Sequence, residues 1–518
     1  MYIEPKKRTR QREPASAIMK TMNTDMPCSP PKCRAKRDDS DVYHETERHN
    51  RAPSCKPTLP KPATLKERDK LLSPTQSKYK FHGLMFPRND ILNHPAGNTL
   101  MGYAVNGCPV DCGADWSIQR IEAAISRGAH PSAKDARAAK ACRDEALARA
   151  AEKCVRIISW RELKAKGVPK NLKVSPIAAI PHKSREFRMI LDLAFALTIN
   201  GVKLKSVNDT TNKTLAPDHS MFKLGNVIPR IIWLLATAGE QWPFLMTKVD
   251  LKDGYWRLCV NKQDAWNFAY VLPKLSEHEE TMLVVPDALQ MGWSESPAFF
   301  CAVTETVRDV AHQNFVKKVP QRRHEMEDIM MNLEELARKS LPSLSDDTEV
   351  IFKHLLEVYI DDFIGLIQAN NEADLRRFSR CILHAIYNAF PPPQITNSDM
   401  GPAVSEKKLI KEGTWETCKE ILGWLIDGIN RTIELPMGKC ESLIKELNDA
   451  TNFSRKHKKY YIPLKQFQKI HGRLQFASMA MAIGKPLLGP LDRGLAVAAK
   501  SSTDKVVLTE SIYHCLKE

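Results

Sequence analysis

The stretch Val358-Tyr359-Ile360-Asp361-Asp362-Phe363-Ile364-Gly365 constrains this chain more than any other, because two adjacent carboxylates interrupt an otherwise apolar run. The flanking apolar residues ask for buried strands, and ionised carboxylates cannot be buried beside them without a large loss of solvation. Turning the chain at the aspartates satisfies both demands, so Leu356 to Ile367 reads as strand-like with the carboxylates at the tip of a hairpin. Two neighbouring carboxylates repel each other, and a divalent cation would relieve the repulsion. A plain turn needs no cation, since Asp is a common turn residue. A carboxylate ending a second strand decides between these readings.

Asp250 is such a residue. Phe244 to Leu251 reads as a strand, and in Lys248-Val249-Asp250-Leu251-Lys252-Asp253-Gly254-Tyr255 the aspartate stands where that strand turns. Joining a nucleotide to a 3′-hydroxyl uses two Mg²⁺ ions ~3.5 to 4 Å apart. Mg²⁺ keeps several waters and binds few carboxylates plus substrate phosphates, so two or three aspartates suffice.

The surrounding texture is mixed. Val174 to Pro181 and Phe187 to Leu193 read as strands joined by a turn over His182 to Arg185, and Ser296 reads as the N-cap of a helix with Pro297 at its first position. From Trp116 to Lys166 the spacing of Ile118, Ile121, Ala124 and Ile125, followed by an Ala-rich run, predicts helix interrupted at His130-Pro131-Ser132. Irregular alternation of helices and strands indicates the α+β class.

Charge names a class of partner. The net charge is +16, and residues 1 to 80 hold 19 Lys or Arg against 10 Asp or Glu together with ten prolines. That composition predicts a disordered basic tail, which cannot bury enough surface to offset its ordering entropy. An excess of Lys and Arg favours a polyanion, since phosphate contacts release counterions. Lys6, Lys7, Arg8, Arg10 and Arg12 fit a nuclear import signal, a nucleic-acid arm or a solvated charge run equally. The 13 cysteines are scattered without paired CxxC spacing, and no stretch reaches the ~18 to 20 apolar residues of a membrane span. The expectation is a soluble intracellular protein, cytoplasmic or nuclear, with reduced thiols.

Three motifs in order carry a resemblance. Asp250 to Tyr255, then Gln290-Met291-Gly292-Trp293-Ser294-Glu295-Ser296-Pro297, then Tyr359 to Asp362 resemble the D-L-x-x-G-Y, glycine-before-S-P and Y-x-D-D segments of retrotransposon and retroviral reverse transcriptases. Arg185-Glu186-Phe187-Arg188-Met189-Ile190-Leu191-Asp192 resembles their fingers hairpin, Glu420 to Asp427 their primer-gripping hairpin, and Phe467 to Leu487 the thumb of tyrosine-recombinase-type and gypsy-like elements. The resemblance covers about residues 170 to 490. It implies a right-hand polymerase of the α+β class with a basic tail over 1–80, a helical lead-in over 81–169, fingers and palm over 170–435 with a polar insertion at 317–349, a thumb over 436–492 and an extension over 493–518.

It also implies roles. Asp250, Asp361 and Asp362 would be catalytic and hold two Mg²⁺ ions, or Mn²⁺, with Asp362 the weaker ligand. Arg188, and Lys183 or Arg185, would clamp the dNTP triphosphate; the backbone amides of Leu251, Lys252, Asp253 and Gly254 would touch its phosphates, Tyr255 would lie under the sugar, and Met291 and Gly292 would contact the templating pair and the nucleotide. Lys408 or Lys407 would be the general acid, and Leu422, Gly423 and Trp424 the primer grip. The partners implied are an RNA or DNA template, a primer and dNTPs. Met291 stands where many retroviral enzymes carry Gln, so its nucleotide contact must be apolar. No spaced carboxylates of an RNase H follow the thumb-like segment, and protease and integrase signatures are missing. A catalytically inactive nucleic-acid-binding remnant and an RNA-dependent RNA polymerase remain the alternatives.

Overall fold

The computed structural model describes residues 85, 87–182, 186–217, 226–239, 242–331, 353–369, 371–393, 400–456, 461–481 and 484–518. All belong to one compact unit that starts at Pro57. The basic tail, Lys183, Arg185 and residues 332–349 of the insertion lie outside the described residues.

Helices lead. α1 (Gly97–Asn106), α2 (Ile118–Arg127) and α3 (Ala136–Ala151) follow one another, with Ser117 accepting a hydrogen bond from the Arg120 amide and Asp135 from those of Arg137 and Ala138. Each cap satisfies amides that the first helical turn leaves without partners. His130-Pro131-Ser132 breaks the pattern as expected, through a 3₁₀ turn over Pro131–Ala133. The helical expectation fails at Val155–Ser159, which forms β1 before α4 (Trp160–Lys166). Its Val and Ile residues suit a pleated surface, and its partner strand lies more than a hundred residues later, so local periodicity carried no trace of it.

β2 (Ile177–Pro181) and β3 (Phe187–Leu191) pair antiparallel as a hairpin, each shorter than its apolar run. A two-residue pairing of β4 (Thr198–Ile199) with β5 (Val202–Lys203) and helix α5 (Val227–Thr237) lead to β6 (Phe244–Asp250). β7 (Tyr270–Val271) and β1 flank β8 (Met282–Pro286) in a three-stranded sheet. α6 (Ser296–Val316) follows, but Ser296 is not its N-cap. Its buried hydroxyl donates to the Gln290 carbonyl at 2.8 Å, and Glu295 stands at the cap position without a side-chain bond.

β9 (His354–Tyr359) and β10 (Asp362–Gln368) form the expected hairpin, and β6 pairs with β10 on its other side. α7 (Glu372–Ala389) covers this sheet with α6. Alternation along the strands sends Leu245, Val249, Phe363 and Ile367 into the main apolar cluster, while Phe244, Met246, Ile364 and Leu366 face a second cluster with Ile421, Trp424 and Ile426. Both faces are covered, which explains the unbroken apolar run of β10. Each large side chain so buried contributes roughly 1.5–3 kcal/mol.

β11 (Cys418–Ile421), β12 (Trp424–Asp427) and β13 (Thr432–Glu434) make a third sheet. Beyond it α8 (Met437–Lys456), β14 (Tyr461–Pro463), α9 (Leu464–Ala477), α10 (Gly489–Lys500), β15 (Lys505–Val507) and α11 (Glu510–Lys517) gather around Phe467, Ile470, Leu491, Ile512 and Leu516. This cluster runs across residue 492, so the extension is part of the same core. In the first part of the polar insertion Glu327 is fully buried and receives two hydrogen bonds from Arg380 of α7, at 2.5 and 2.7 Å. No helix among the described residues is long and apolar enough to cross a membrane, and the described cysteines are free thiols.

Candidate active site

The sheet register brings the three aspartates to one end of β6 and β10. Asp362 is the Cα partner of both Asp250 and Tyr359, which leaves Ile360 and Asp361 as a two-residue turn. Ile360 has φ 56°, the left-handed conformation that tight hairpin turns require and that a β-branched residue adopts only under strain. Such strain, on the order of 1–3 kcal/mol, persists only where the surroundings fix it. Here the Leu251 amide donates to the Asp361 carbonyl at 3.0 Å, tying the tip to the segment after β6.

Directly opposed residues of an antiparallel pair project to the same face. Asp250 and Asp362 are opposed in this way, and Lys248 shares the face two residues back. Its ammonium lies 3.4 Å from Asp362 and 2.7 Å from Glu412. Lys408 donates from Nζ to Asp250 Oδ2 at 2.5 Å, and Lys407 does not share that contact. Burial lifts all three carboxyls above the usual carboxylate range, Asp362 to about 7. Lys408 opposes the rise at Asp250, the charge on Asp250 adds to it at Asp361, and Lys248 opposes it at Asp362.

Among the described residues no group of three or more His, Cys, Asp or Glu side chains is arranged to hold a metal ion. The donor chemistry of the aspartates nonetheless suits Mg²⁺. They are hard oxygen ligands, crowded and costly to ionise until a cation joins them, and Mg²⁺ needs only one or two carboxylates beside substrate phosphates and water.

The segment after Asp250 is stitched down on two sides. The Lys252 amide donates to the Ala403 carbonyl at 2.8 Å, and Leu251 bridges Val404, so the amides of Leu251 and Lys252, expected on the phosphates, are spent on backbone carbonyls. Arg257, 1% exposed, donates to the carbonyls of Lys252 (2.6 Å), Gly401 (3.0 Å) and Pro402 (2.8 Å). Burial lowers its pKa to about 10. The same 401–408 stretch thus holds the loop and delivers Lys408. Gly254 packs on Phe300 and the Asp361 side chain, leaving no room for a Cβ. Tyr255 stands edge-on to Phe300 at 5.3 Å, within electrostatic reach of Asp361, Tyr359 and Arg188. Arg188, half-buried on β3, has an Nε atom without a hydrogen-bond partner. The side chain of Asp253 is held by Arg149.

Met291 and Gly292 come to the same region by way of β3. Gly292 has φ 111° and lies against the Leu191 carbonyl, which an added Cβ would strike. Asn208 fixes this turn from both ends, donating to the Gly292 carbonyl at 2.8 Å and accepting from the Ser294 amide at 3.1 Å. Gly292→Ala is therefore expected to lower unfolding stability by about 1–3 kcal/mol, from strain and overlap together. An unchanged urea midpoint would show that the turn has room to adjust.

Leu422 and Gly423 form the turn between β11 and β12, both at positive φ (48° and 84°), the geometry of a primed hairpin turn. Their contacts run to the C-terminal helices. Lys439 of α8 donates to the Gly423 carbonyl at 2.9 Å, and Trp424 stacks on Phe476 of α9 at 5.4 Å. A cleft of about 290 Å³ opens beside Phe476, rimmed by Lys439, Lys469, Arg473 and Gln468.

Sequence reasoning missed Lys248, Asn208, Arg257 and Arg149. Lys248 was in view, two residues before Asp250 on an alternating strand, and period two alone would have placed it on the same face. The others act through backbone carbonyls or across long sequence separations, for which a single sequence has no signal.

No family model matches the chain, and no curated protein matches it. Among solved structures it is similar to the foamy viral protease-reverse transcriptase dRH in complex with double-stranded DNA, at 18% identity and TM-score 0.36, covering 70% of this chain and 44% of that one. It is also similar to the foamy viral protease-reverse transcriptase in complex with double-stranded DNA, at 16% identity and TM-score 0.39, covering 89% of this chain and 72% of that one. Both likenesses are distant, and the chain spans less than half the length of the first.

Proposed function

We propose that this chain is a reverse transcriptase that extends a primer 3′-hydroxyl with dNTPs on an RNA or DNA template, within a right-hand arrangement of fingers, palm and thumb. One observation carries the reading: Asp362, beside Asp361 at a hairpin tip, stands in register with Asp250 at the end of the adjacent strand. Nothing in the packing of the sheet calls for three half-buried, mutually repelling carboxylates, whereas a phosphoryl-transfer centre does.

In this reading Asp250 and Asp361 would hold the divalent ions, Mg²⁺ or Mn²⁺, with Asp362 beside them. Such ions, when bound, activate the attacking hydroxyl and stabilise charge on the leaving pyrophosphate. The chain's own groups then position and neutralise. A bond forms between the 3′-oxygen and the α-phosphorus as the bond to pyrophosphate breaks; the 3′-hydroxyl proton passes to solvent water, and Lys408 supplies a proton to the departing oxygen. Arg188, half-buried on β3, would offer its guanidinium to the triphosphate, which a forked cation suits. Amides of Asp253 and Gly254 face the β and γ phosphates, Tyr255 underlies the sugar, and Met291 and Gly292 border the nucleotide. The Leu422-Gly423-Trp424 turn and its cationic cleft would grip the primer, whose phosphates favour the rim lysines and arginine.

Primer extension on an RNA template with Mg²⁺ and dNTPs tests the proposal, and absence of any extension by the intact chain would overturn it. Arg188→Ala is expected to raise KM for dNTP by roughly 10- to 150-fold, the equivalent of about 1.5–3 kcal/mol for one charge-assisted contact. Unchanged dNTP kinetics would leave Arg188 outside the nucleotide site. The ion pairs of Lys408 and Lys248 with the aspartates favour one second reading, a nucleic-acid-binding remnant whose carboxylates are neutralised from within. It predicts template binding with no extension.

A further inference from the structure

The helices that precede β1 have no part in this chemistry, yet one of their side chains reaches the nucleotide loop. Arg149, in the last turn of α3, donates from Nη2 to Asp253 Oδ1 at 2.7 Å and from Nη1 to Glu152 Oε2 at 2.8 Å. Its side chain is 11% exposed, and its guanidinium lies 5.0 Å from the centre of the Trp256 ring. The pair therefore joins residues 104 apart in sequence in a setting with little water to screen it.

Asp253 is the residue most in need of such a hold. It sits at φ 56° and ψ 39°, in the left-handed region, with no capping hydrogen bond to the 3₁₀ turn Gly254–Arg257 that it opens. A non-glycine residue stays there only if its surroundings determine the conformation. Its own amide and that of Gly254 are the ones assigned to the phosphates, so rotation at Asp253 would turn those amides away. Its carboxylate would also repel a triphosphate if left unpaired. The charged groups around it are Arg149, Lys252 and Arg257, and Arg149 makes the largest opposing contribution to burial in holding its carboxyl below the usual range. Arg257 and residues 401–403 fix the loop from the opposite side, through backbone carbonyls only.

We propose that Arg149 is a positioning residue for the nucleotide-binding loop. By pairing with Asp253 it sets the direction of the amides of Asp253 and Gly254 and neutralises the Asp253 carboxylate beside them. The inference rests on the polymerase reading and gives the helical lead-in a share in dNTP affinity, although none of its side chains touches substrate.

The test is steady-state primer extension by the full chain on a primed RNA template, with dNTP varied. Arg149→Ala should raise KM for dNTP by roughly 10- to 100-fold, the range expected when a binding group is misaligned from a distance. Its kcat and its affinity for the primed template should change little. Arg149→Lys should recover part of the loss, since an ammonium can pair with Asp253 but not with Asp253 and Glu152 in one fork. Asp253→Asn should show the same rise in KM, and the double variant should be no worse than either single one, as for two ends of one interaction. A wild-type KM in either single variant overturns the proposal. So does a parallel fall in kcat, template affinity and melting temperature, which would make Arg149 only a support of the fold. Should Arg149→Ala fail to fold, Asp253→Asn decides by the same KM criterion, because it leaves Arg149 paired with Glu152. Extension by Asp361→Ala, or none by the unmodified chain, would instead refute the polymerase reading itself.

Discussion

Asp250→Ala and Asp361→Ala are each expected to lower primer extension by at least about three orders of magnitude while leaving affinity for primed template nearly unchanged. The size follows from charge. A metal-assisted centre supplies several kcal/mol of transition-state stabilisation, and about 4 kcal/mol corresponds to roughly a thousandfold in rate. Template affinity rests on different side chains, the lysines and arginines that meet phosphate. The two variants also differ in an informative way. Removing Asp250 releases Lys408, whose ammonium then stands free, whereas removing Asp361 leaves the pair of Lys408 with Asp250 intact. If Lys408 serves as the proton donor, both variants still fail for want of the carboxylate. Substantial extension by either would remove the aspartates from the chemistry and leave Asp250 and Asp362 as ion-pair partners of Lys408 and Lys248. Filter binding of a primed RNA beside single-turnover extension separates loss of chemistry from loss of substrate.

What could be read from the sequence was what alternation and charge impose locally. The hairpin over Val358 to Gly365 was legible because an apolar strand cannot run through two carboxylates, and the end of β6 at Asp250 was legible for the same reason. The β2–β3 hairpin carrying Arg188 followed from its apolar runs, although both strands proved shorter. Ser296 misled because a serine before a proline and an apolar run satisfies the local rule for a helix start. Its hydroxyl is instead spent on the Gln290 carbonyl, which holds the Met291-Gly292 turn against α6. β1 was hidden for a different reason. Val155–Ser159 acquires its identity from Met282–Pro286, and no window of local sequence contains both. The stitching of the nucleotide loop by Arg149, Arg257 and Asn208 shares that character. These side chains are bound to backbone carbonyls or to a carboxylate far along the chain, so their meaning exists only once the fold has formed.

Tyr255→Ala is expected to raise the ratio of rNTP to dNTP incorporation by about tenfold to a few hundredfold, because the ring would close the space that a 2′-hydroxyl needs. The steric argument depends on how firmly the ring is held. Tyr255 follows Gly254, which is pressed against Phe300 and Asp361, so the backbone beneath the ring cannot retreat. The ring itself meets the edge of Phe300 at 5.3 Å, and Phe300, fully buried, stacks in turn on Phe390 at 6.4 Å. A wall backed in this way rejects an extra hydroxyl by overlap, since close-packed interiors do not yield to added volume without strain. Tyr255→Phe keeps the ring and should keep the discrimination, which separates the steric role from any role of the phenol. The competing possibility is that Tyr255 only fills the core beside Phe300. In that case Tyr255→Ala would leave a cavity, destabilise the protein by about 3–5 kcal/mol as large aromatic truncations do, and depress dNTP and rNTP incorporation together. Competition between a dNTP and the matching rNTP on one primed template reads the ratio directly. A ratio unchanged in Tyr255→Ala would remove the gate and make an RNA polymerase the better reading of the same three aspartates.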